Sequence, residues 1–297
     1  MPKRFRQVEL HHEEGHSVHG ISGSGQFSKN TFLLLKKTLG HENAVIIDAR
    51  EETHLHDQEG RAVSLRADHN FLNKGKKLHE IVEIEEEYVK QTDEGRTFDM
   101  YNLADQPAVV RFGTEEQLIK DIAPQYTYHR LPITDGHLAS DEIIDQVIDI
   151  KQAAKREHKW IHVHCCLGRG RTSTILTLLY TIEHASKKSV SEIFDTLENL
   201  GNIKLRKMNS RKSEEENRRS DPFFWELFHK YCCQEEWKNS KWSEWRKSQP
   251  TQLQETVANP VKKQKTKHAK AIERTLDVEA LKEHELTIKD GTLTTTR

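Results

Sequence analysis

Trp160 to Thr174 reads WIHVHCCLGRGRTST. Trp160–Val163 has the look of a strand, and the apolar stretch Ile175 to Ile182 gives the segment Arg171–His184 a helical centre. Between them lies a glycine-containing loop in which Cys165 is separated by five residues from Arg171 and Thr172. Each part has a chemical reason. Gly168 and Gly170 let the backbone curl so that successive N–H groups converge as an anion nest. The N-terminus of the following helix adds its positive dipole at the same place. Such a cradle binds a phosphate dianion and favours the thiolate of Cys165. Arg171 can close its planar fork over two phosphate oxygens, and Thr172 can donate its hydroxyl to the cysteine sulfur as it leaves. A nucleotide-binding loop would carry Lys-Ser/Thr after its last glycine, where Arg171-Thr172 stands here. A merely buried cysteine gives no reason for the glycines, the arginine and the threonine. The segment therefore points to a cysteine-dependent phosphatase.

Outward from this segment, strands and helices alternate. Asn43–Arg50 reads as a buried strand, and Ala62–Arg66, Ala108–Phe112 and Gln125–Ile133 as others. Helices are expected at Leu78–Lys90, at Thr114–Ile122 with a threonine cap, and from Ser140 to about Lys155 with Ser140 or Asp141 capping. Val190–Leu200, Pro222–Glu235 and Lys241–Lys247 complete a helical C-terminal portion. The alternation predicts an α/β sheet covered on both faces.

The chain has 297 residues, with Lys+Arg 46 against Asp+Glu 47 and a formal net charge of -1. That balance offers no global basic field for nucleic acid, and no apolar run reaches the ~20 residues of a transmembrane helix. Neither a secretory signal nor a spaced disulfide framework is apparent, because the four cysteines fall as the adjacent pairs Cys165-Cys166 and Cys232-Cys233. The expectation is a cytosol, either that of the producing cell or a host cytosol reached without a signal peptide. His162 and His164 alternate along one strand face, yet no carboxylate or thiol spacing completes a metal site, so no metal and no cofactor are expected. The last aromatic residue is Trp245. Residues 250–297 read as a polar tail, with one amphipathic helix conceivable around Ala269, Ile272, Leu276 and Ala280 and no partner that the sequence specifies.

His164-Cys165-Cys166-Leu167-Gly168-Arg169-Gly170-Arg171-Thr172 matches the HCxxGxGRT signature of the protein-tyrosine-phosphatase superfamily. More narrowly, the chain resembles the protein-tyrosine-phosphatase-like inositol polyphosphatases, or cysteine phytases. Ser22–Ser28 (SGSGQFS) is similar to the family's SGSAQFS-like motif, with Gly25 for alanine. Ile47–His54 (IDAREETH) resembles DLRxESH, and Ala62–Lys76 follows the AVSWYG…WxNxGK stretch. Arg130–Asp135 (RLPITD) resembles the RxxxTDH segment, with Gly136 where the family has histidine and His137 one place later. The resemblance covers about Gly20 to Pro250.

It implies a phosphatase domain over 20–249, with a small partial β-barrel insertion at about 51–112 and a helical C-terminal cap, after a polar arm at 1–19. It assigns Cys165 as nucleophile, Asp135 as general acid and then base, Arg171 as phosphate clamp, Thr172 as donor to sulfur, and His164 as the residue orienting the loop. Cys166, Leu167, Gly168, Arg169 and Gly170 would bind phosphate through the loop, with Arg50, His137 and Lys76 as further substrate contacts. Arg169 and the basic stretch Lys204, Arg206, Lys207, Arg211, Lys212, Arg218 and Arg219 favour a polyanion. The substrate expected is therefore a myo-inositol polyphosphate, including phytate. The alternatives are a protein-tyrosine or dual-specificity phosphatase, a phosphoinositide lipid phosphatase, or a phosphate-binding module without turnover.

Overall fold

In the computed structural model, the residues described are 1–11, 19–65, 72–95, 100–101, 111–206, 220–234 and 240–249. They form a five-stranded sheet in the order β1-β2-β9-β3-β8. Its strands are β1 (Arg6–His11), β2 (His19–Gly25), β3 (Ala44–Asp48), β8 (Thr127–Arg130) and β9 (Trp160–Cys165). Only β1 runs antiparallel to its neighbour; β2, β9, β3 and β8 are parallel. The register sets Gly25 beside Cys165, His164 beside Asp48, and Asp48 beside Arg130. All four parallel strands thus end together, and ligand crevices of such sheets form at that carboxyl edge.

Helices cover both faces. On one side lie α1 (Lys29–Leu39) and α3 (Glu115–Ile122), where Phe32, Leu35 and Ile119 pack with Ala44, Ile46 and Trp160 of the sheet. Ser28 caps α1, and Gly40 ends it in the left-handed conformation. On the other side lie α4 (Asp141–Arg156) and α5 (Gly170–His184). The latter is buried continuously from Arg171 to Ile182. Ser140 caps α4 and Thr114 caps α3, as the sequence predicts. The C-terminal helices α6 (Val190–Asn199), α7 (Pro222–Cys233) and α8 (Trp242–Ser248) pack outside α4 and α5, with Phe224, Phe228, Tyr231 and Trp242 in mutual ring contact.

The small β-rich insertion is a second sheet, antiparallel, in the order β6-β5-β4-β7. It comprises β4 (His54–Asp57), β5 (Ala62–Leu65), β6 (Met100–Tyr101) and β7 (Phe112–Gly113). Leu55, Val63 and Phe112 bury against Tyr88 and Val89 of α2 (Leu78–Asp93).

Three findings depart from the sequence reading. Residues 6–11, assigned there to a polar arm, pair with β2 as an edge strand, and Leu10 and Arg6 are buried. Residues 19–25 form a central strand despite their serines and glycines, and α1 fills a stretch for which no helix was expected. The expected strand at Ala108–Phe112 begins outside the described residues, as do the rest of the histidine-rich stretch at 12–18 and the tail at 250–297. Among the described residues no helix is long and apolar enough to cross a membrane.

Candidate active site

Cys165 ends β9 at the carboxyl edge of the sheet, and its side chain is buried. Thr172 Oγ1 stands 3.1 Å from Cys165 Sγ as a donor, with Ser24 O also within 3.2 Å. From Cys165 the chain turns through Cys166 to Arg169 and enters α5 at Gly170, so the loop and the helix N-terminus face one point. Gly168 holds φ at +70° and lies so close to β2 that a Cβ there would sit 2.3 Å from Gly25 N. The loop therefore rests on the end of β2, and Gln26 N donates to Cys166 O at 3.1 Å. Leu167 and Arg169 are exposed on the loop's rim, while burial pushes the Cys166 thiol up in pKa.

The guanidinium of Arg171 is buried and bidentate on Glu52. Nη2 donates to Oε1 at 2.7 Å, Nη1 donates to Oε2, and Nη1 also reaches Ile133 O at 3.2 Å. Its Nε lies 3.5 Å from Asp135 Oδ1, and the Asp135 side chain is 48% exposed. Burial works against the Arg171 charge, but Glu52, then Asp135 and Cys165, hold its pKa above the ordinary value. Asp135 sits in the turn after β8 that Gly136 closes with φ +84°. His137 is mostly buried, with its Nδ1 2.8 Å from the Asp135 carbonyl, so it braces this turn.

Behind the loop lies a layer of buried charge. Arg50 has 0% exposure, and its nitrogens go to Asp48 (Nε, 2.7 Å), Gln26 (Nη1, 3.1 Å) and Glu115 (Nη2). The structure thus places Arg50 as internal support, not as the substrate contact expected from its position at a strand's carboxyl end. Lys76 is exposed just before α2, and its neighbours reach the site: Gly75 N donates to Glu51 Oε1 at 3.2 Å and Asn73 Nδ2 to Glu51 O at 3.0 Å. His164 Nε2 stands 2.8 Å from Glu115 Oε1, and its ring packs on Phe27. His162 Nδ1 and Nε2 lie 2.8 and 3.0 Å from the hydroxyls of Ser22 and Ser24. Burial drives its pKa down, so it is a neutral core histidine. Of the basic stretch, Arg206 pairs with Asp195 and Glu198 on α6, Lys204 is exposed, and 207–219 lie outside the described residues.

Asp48, His54 and Glu115 bring ligand-type atoms within 4.8 Å of one another. The guanidinium of Arg50 already supplies the positive charge among them, bonded to both carboxylates, so the cluster is built for arginine, not for a metal ion.

Sequence reasoning missed Glu52, Arg130 and Arg6. Arg130 donates to Arg50 O and Glu52 O, fixing the backbone on either side of Glu51. Two adjacent carboxylates just after a strand's end were the available signal for Glu52. Its neighbour Glu51 is buried as well, and that burial raises its pKa.

A thiol at the foot of a glycine loop, an arginine at the helix start and an aspartate across from it, on this sheet, are the parts from which a cysteine-based phosphatase site is built. Residues 47–182 match the family model of the PTP-like phytases, described by the words inositol hexakisphosphate. The fold agrees. The tandemly repeated PTP-like phytase of Mitsuokella multacida superposes with a TM-score of 0.67 at 20% identity, covering 82% of this chain and 46% of that one. The PTP-like phytase of Bdellovibrio bacteriovorus gives 0.66 at 22%, covering 82% and 89%. The PTP-like myo-inositol phosphatase of M. multacida, in complex with myo-inositol-(1,3,4,5)-tetrakisphosphate, gives 0.66 at 20%, covering 82% and 46%. Among curated proteins, the effector protein hopD2 of Pseudomonas syringae pv. tomato is 23% identical over 184 residues, which are 56% of this chain and 37% of that protein. The chain thus spans well under half the length of that relative.

Proposed function

We propose that this protein removes phosphate groups from myo-inositol polyphosphates, phytate included, through a phosphocysteine intermediate. The observation that carries the reading is the placement of Cys165 Sγ 3.1 Å from Thr172 Oγ1, with Arg171 Nε 3.5 Å from Asp135 Oδ1 at the same cradle. In the first step the Cys165 thiolate attacks phosphorus, forming the S–P bond as the P–O bond to the inositol oxygen breaks, and Asp135 protonates the departing alkoxide. In the second, Asp135 takes a proton from water, whose oxygen attacks phosphorus. The S–P bond breaks, and Thr172 donates to the sulfur as negative charge returns to it. Arg171 and the loop N–H groups bind the equatorial oxygens throughout. The inositol class is supported by the family description and by the tetrakisphosphate bound to the M. multacida relative. On this chain it is supported by Arg169, exposed on the loop itself.

The test is a substrate panel with product identification. Phosphate release from inositol hexakisphosphate should exceed that from phosphotyrosine peptides and phosphoinositide headgroups at equal concentration. The reverse ranking assigns the site to a protein or lipid phosphatase instead. Cys165→Ser should abolish turnover yet retain salt-sensitive binding of the polyanion; turnover in that variant would place the nucleophile elsewhere. The likeness to a protein named an effector supports action in a host cytosol. A translocation reporter fused to the full chain tests this, and retention in the producing cell argues for cytoplasmic action there.

A further inference from the structure

Three consecutive carbonyls of the phosphate loop are held from outside the site. Cys166 O accepts from Gln26 N at 3.1 Å, Leu167 O from Arg4 Nη1 at 2.8 Å, and Gly168 O from Arg6 Nη1 at 3.0 Å. In a planar trans peptide the C=O and the following N–H point in opposite directions. Bonding these three carbonyls from the β1–β2 side therefore turns the N–H groups of Leu167, Gly168 and Arg169 the other way, into the cradle, where successive N–H groups make an anion nest.

Arg6 is built into this position. It is 7% exposed, and its other donors reach Asn202 Oδ1 (Nε, 2.6 Å) and Ser173 Oγ (Nη2, 3.0 Å), while Nη1 also bonds Arg4 O at 3.0 Å. Asn202 in turn bonds Ser173 O at 3.3 Å, so one planar fork joins β1, the loop, the first turn of α5 and the segment after α6. Arg4 adopts φ +56°, a left-handed conformation unusual for a non-glycine residue, held where its side chain meets Leu167 O. Neither arginine lies in the segment 47–182 that carries the family match.

We propose that Arg4 and Arg6 are positioning residues that preset the phosphate loop, so that the N-terminal segment is a working part of the oxyanion site. This rests on the reading of the loop as a phosphate site. The Arg6 charge also lies near Cys165. Burial lowers the Arg6 pKa to about 10, against the pull of Cys165, so the guanidinium stays positive at neutral pH.

The experiment uses the full chain and two readouts that do not require turnover: binding of inorganic phosphate, and the melting temperature. Arg6→Gln should weaken phosphate binding at least tenfold. Arg4→Gln, which removes only the exposed contact to Leu167 O, should weaken binding about threefold and covers the case in which the Arg6 variant does not fold. Val8→Ala, elsewhere on β1, should lower the melting temperature but leave phosphate affinity within about twofold of the parent. Parent-like phosphate affinity in both arginine variants overturns the proposal, and so does an equal loss in the Val8 variant. Absence of phosphate binding by the parent protein is a separate result that rejects the phosphate-site reading itself.

Discussion

Arg171 grips the Glu52 carboxylate with both terminal nitrogens inside the protein, where neither side chain is more than 5% exposed. The pair fixes the plane of the guanidinium, and Ile133 O and Asp135 fix its rotation within that plane. Arginine alone on a helix start can take many poses; here one pose is left, with Nε directed toward Asp135.

Replacing Glu52 should therefore cost more than a surface charge does. Glu52→Gln keeps the shape but leaves the Arg171 charge buried without its neutralising partner, a change on the order of 3 kcal/mol in stability. Turnover should fall by roughly tenfold or more, because the clamp loses its fixed plane. Burial acts to raise the Glu52 pKa, but Arg171 outweighs it and the net shift is downward. A lowered acid stabilises fully above its unfolded value of about 4.5 and loses that contribution as pH falls toward the folded value. Melting temperature against pH should thus fall more steeply below about 4.5 in the parent than in Glu52→Gln. Parallel curves would show that the pair contributes nothing to acid sensitivity.

Asp135 is half exposed and held in a turn closed by Gly136 and braced by His137, so it can approach a bound substrate from solvent. Asp135→Asn should reduce the rate by about 10²–10⁴-fold for alkyl phosphates such as inositol phosphates. For aryl phosphates with acidic leaving groups the loss should be far smaller, since those need little protonation. A loss independent of leaving-group pKa would remove Asp135 from the role of acid.

The loop's contact with β2 gives a paired prediction. At Gly168 a Cβ would lie 2.3 Å from Gly25 N in a backbone with φ +70°, so Gly168→Ala must displace the loop. At Gly25 a Cβ would meet Cys166 O and Leu167 C at 3.2 Å, a contact that a shift of tenths of an ångström relieves. Gly25→Ala should retain phosphate binding within a few-fold, whereas Gly168→Ala should lose it and melt earlier by several degrees. Equal behaviour of the two variants would contradict the contact geometry.

These contacts also explain which parts of the fold were legible. β3 and β9 announce themselves because buried parallel strands are apolar runs, and α3 and α4 because Thr114 and Ser140 mark their starts. β2, reading HGISGSG, has the composition of a loop. It is a central strand because α5 packs directly on its backbone: a Cβ at Gly23 would strike Thr172 and Leu176 at 2.6 and 2.7 Å. That requirement lies in tertiary contact and leaves no local pattern. Cys165, Arg171 and the loop between them were legible because they are contiguous. Glu52, Arg6 and Arg130 reach the site across the sheet, and Arg50 faces inward for reasons only the register reveals.

A last prediction concerns stability away from the site. Lys151 on α4 is buried with its Nζ 2.9 Å from Glu183 Oε2, and Lys155 bonds the other oxygen at 3.0 Å. Burial pulls the Glu183 pKa up, but the two lysines outweigh it and bring it down to about 2. The pair's contribution is thus present above about pH 4.5 and fades as pH falls toward 2. Glu183→Gln should cost about 3 kcal/mol at neutral pH, because Lys151 stays buried with its charge unpaired. Replacing both partners, Lys151→Met with Glu183→Leu, should recover most of that loss, since a packed apolar pair needs no desolvation of ions. Chemical denaturation of the three proteins at pH 7 decides the matter. A double variant as unstable as Glu183→Gln would mean that the ion pair stabilises the α4–α5 interface in its own right.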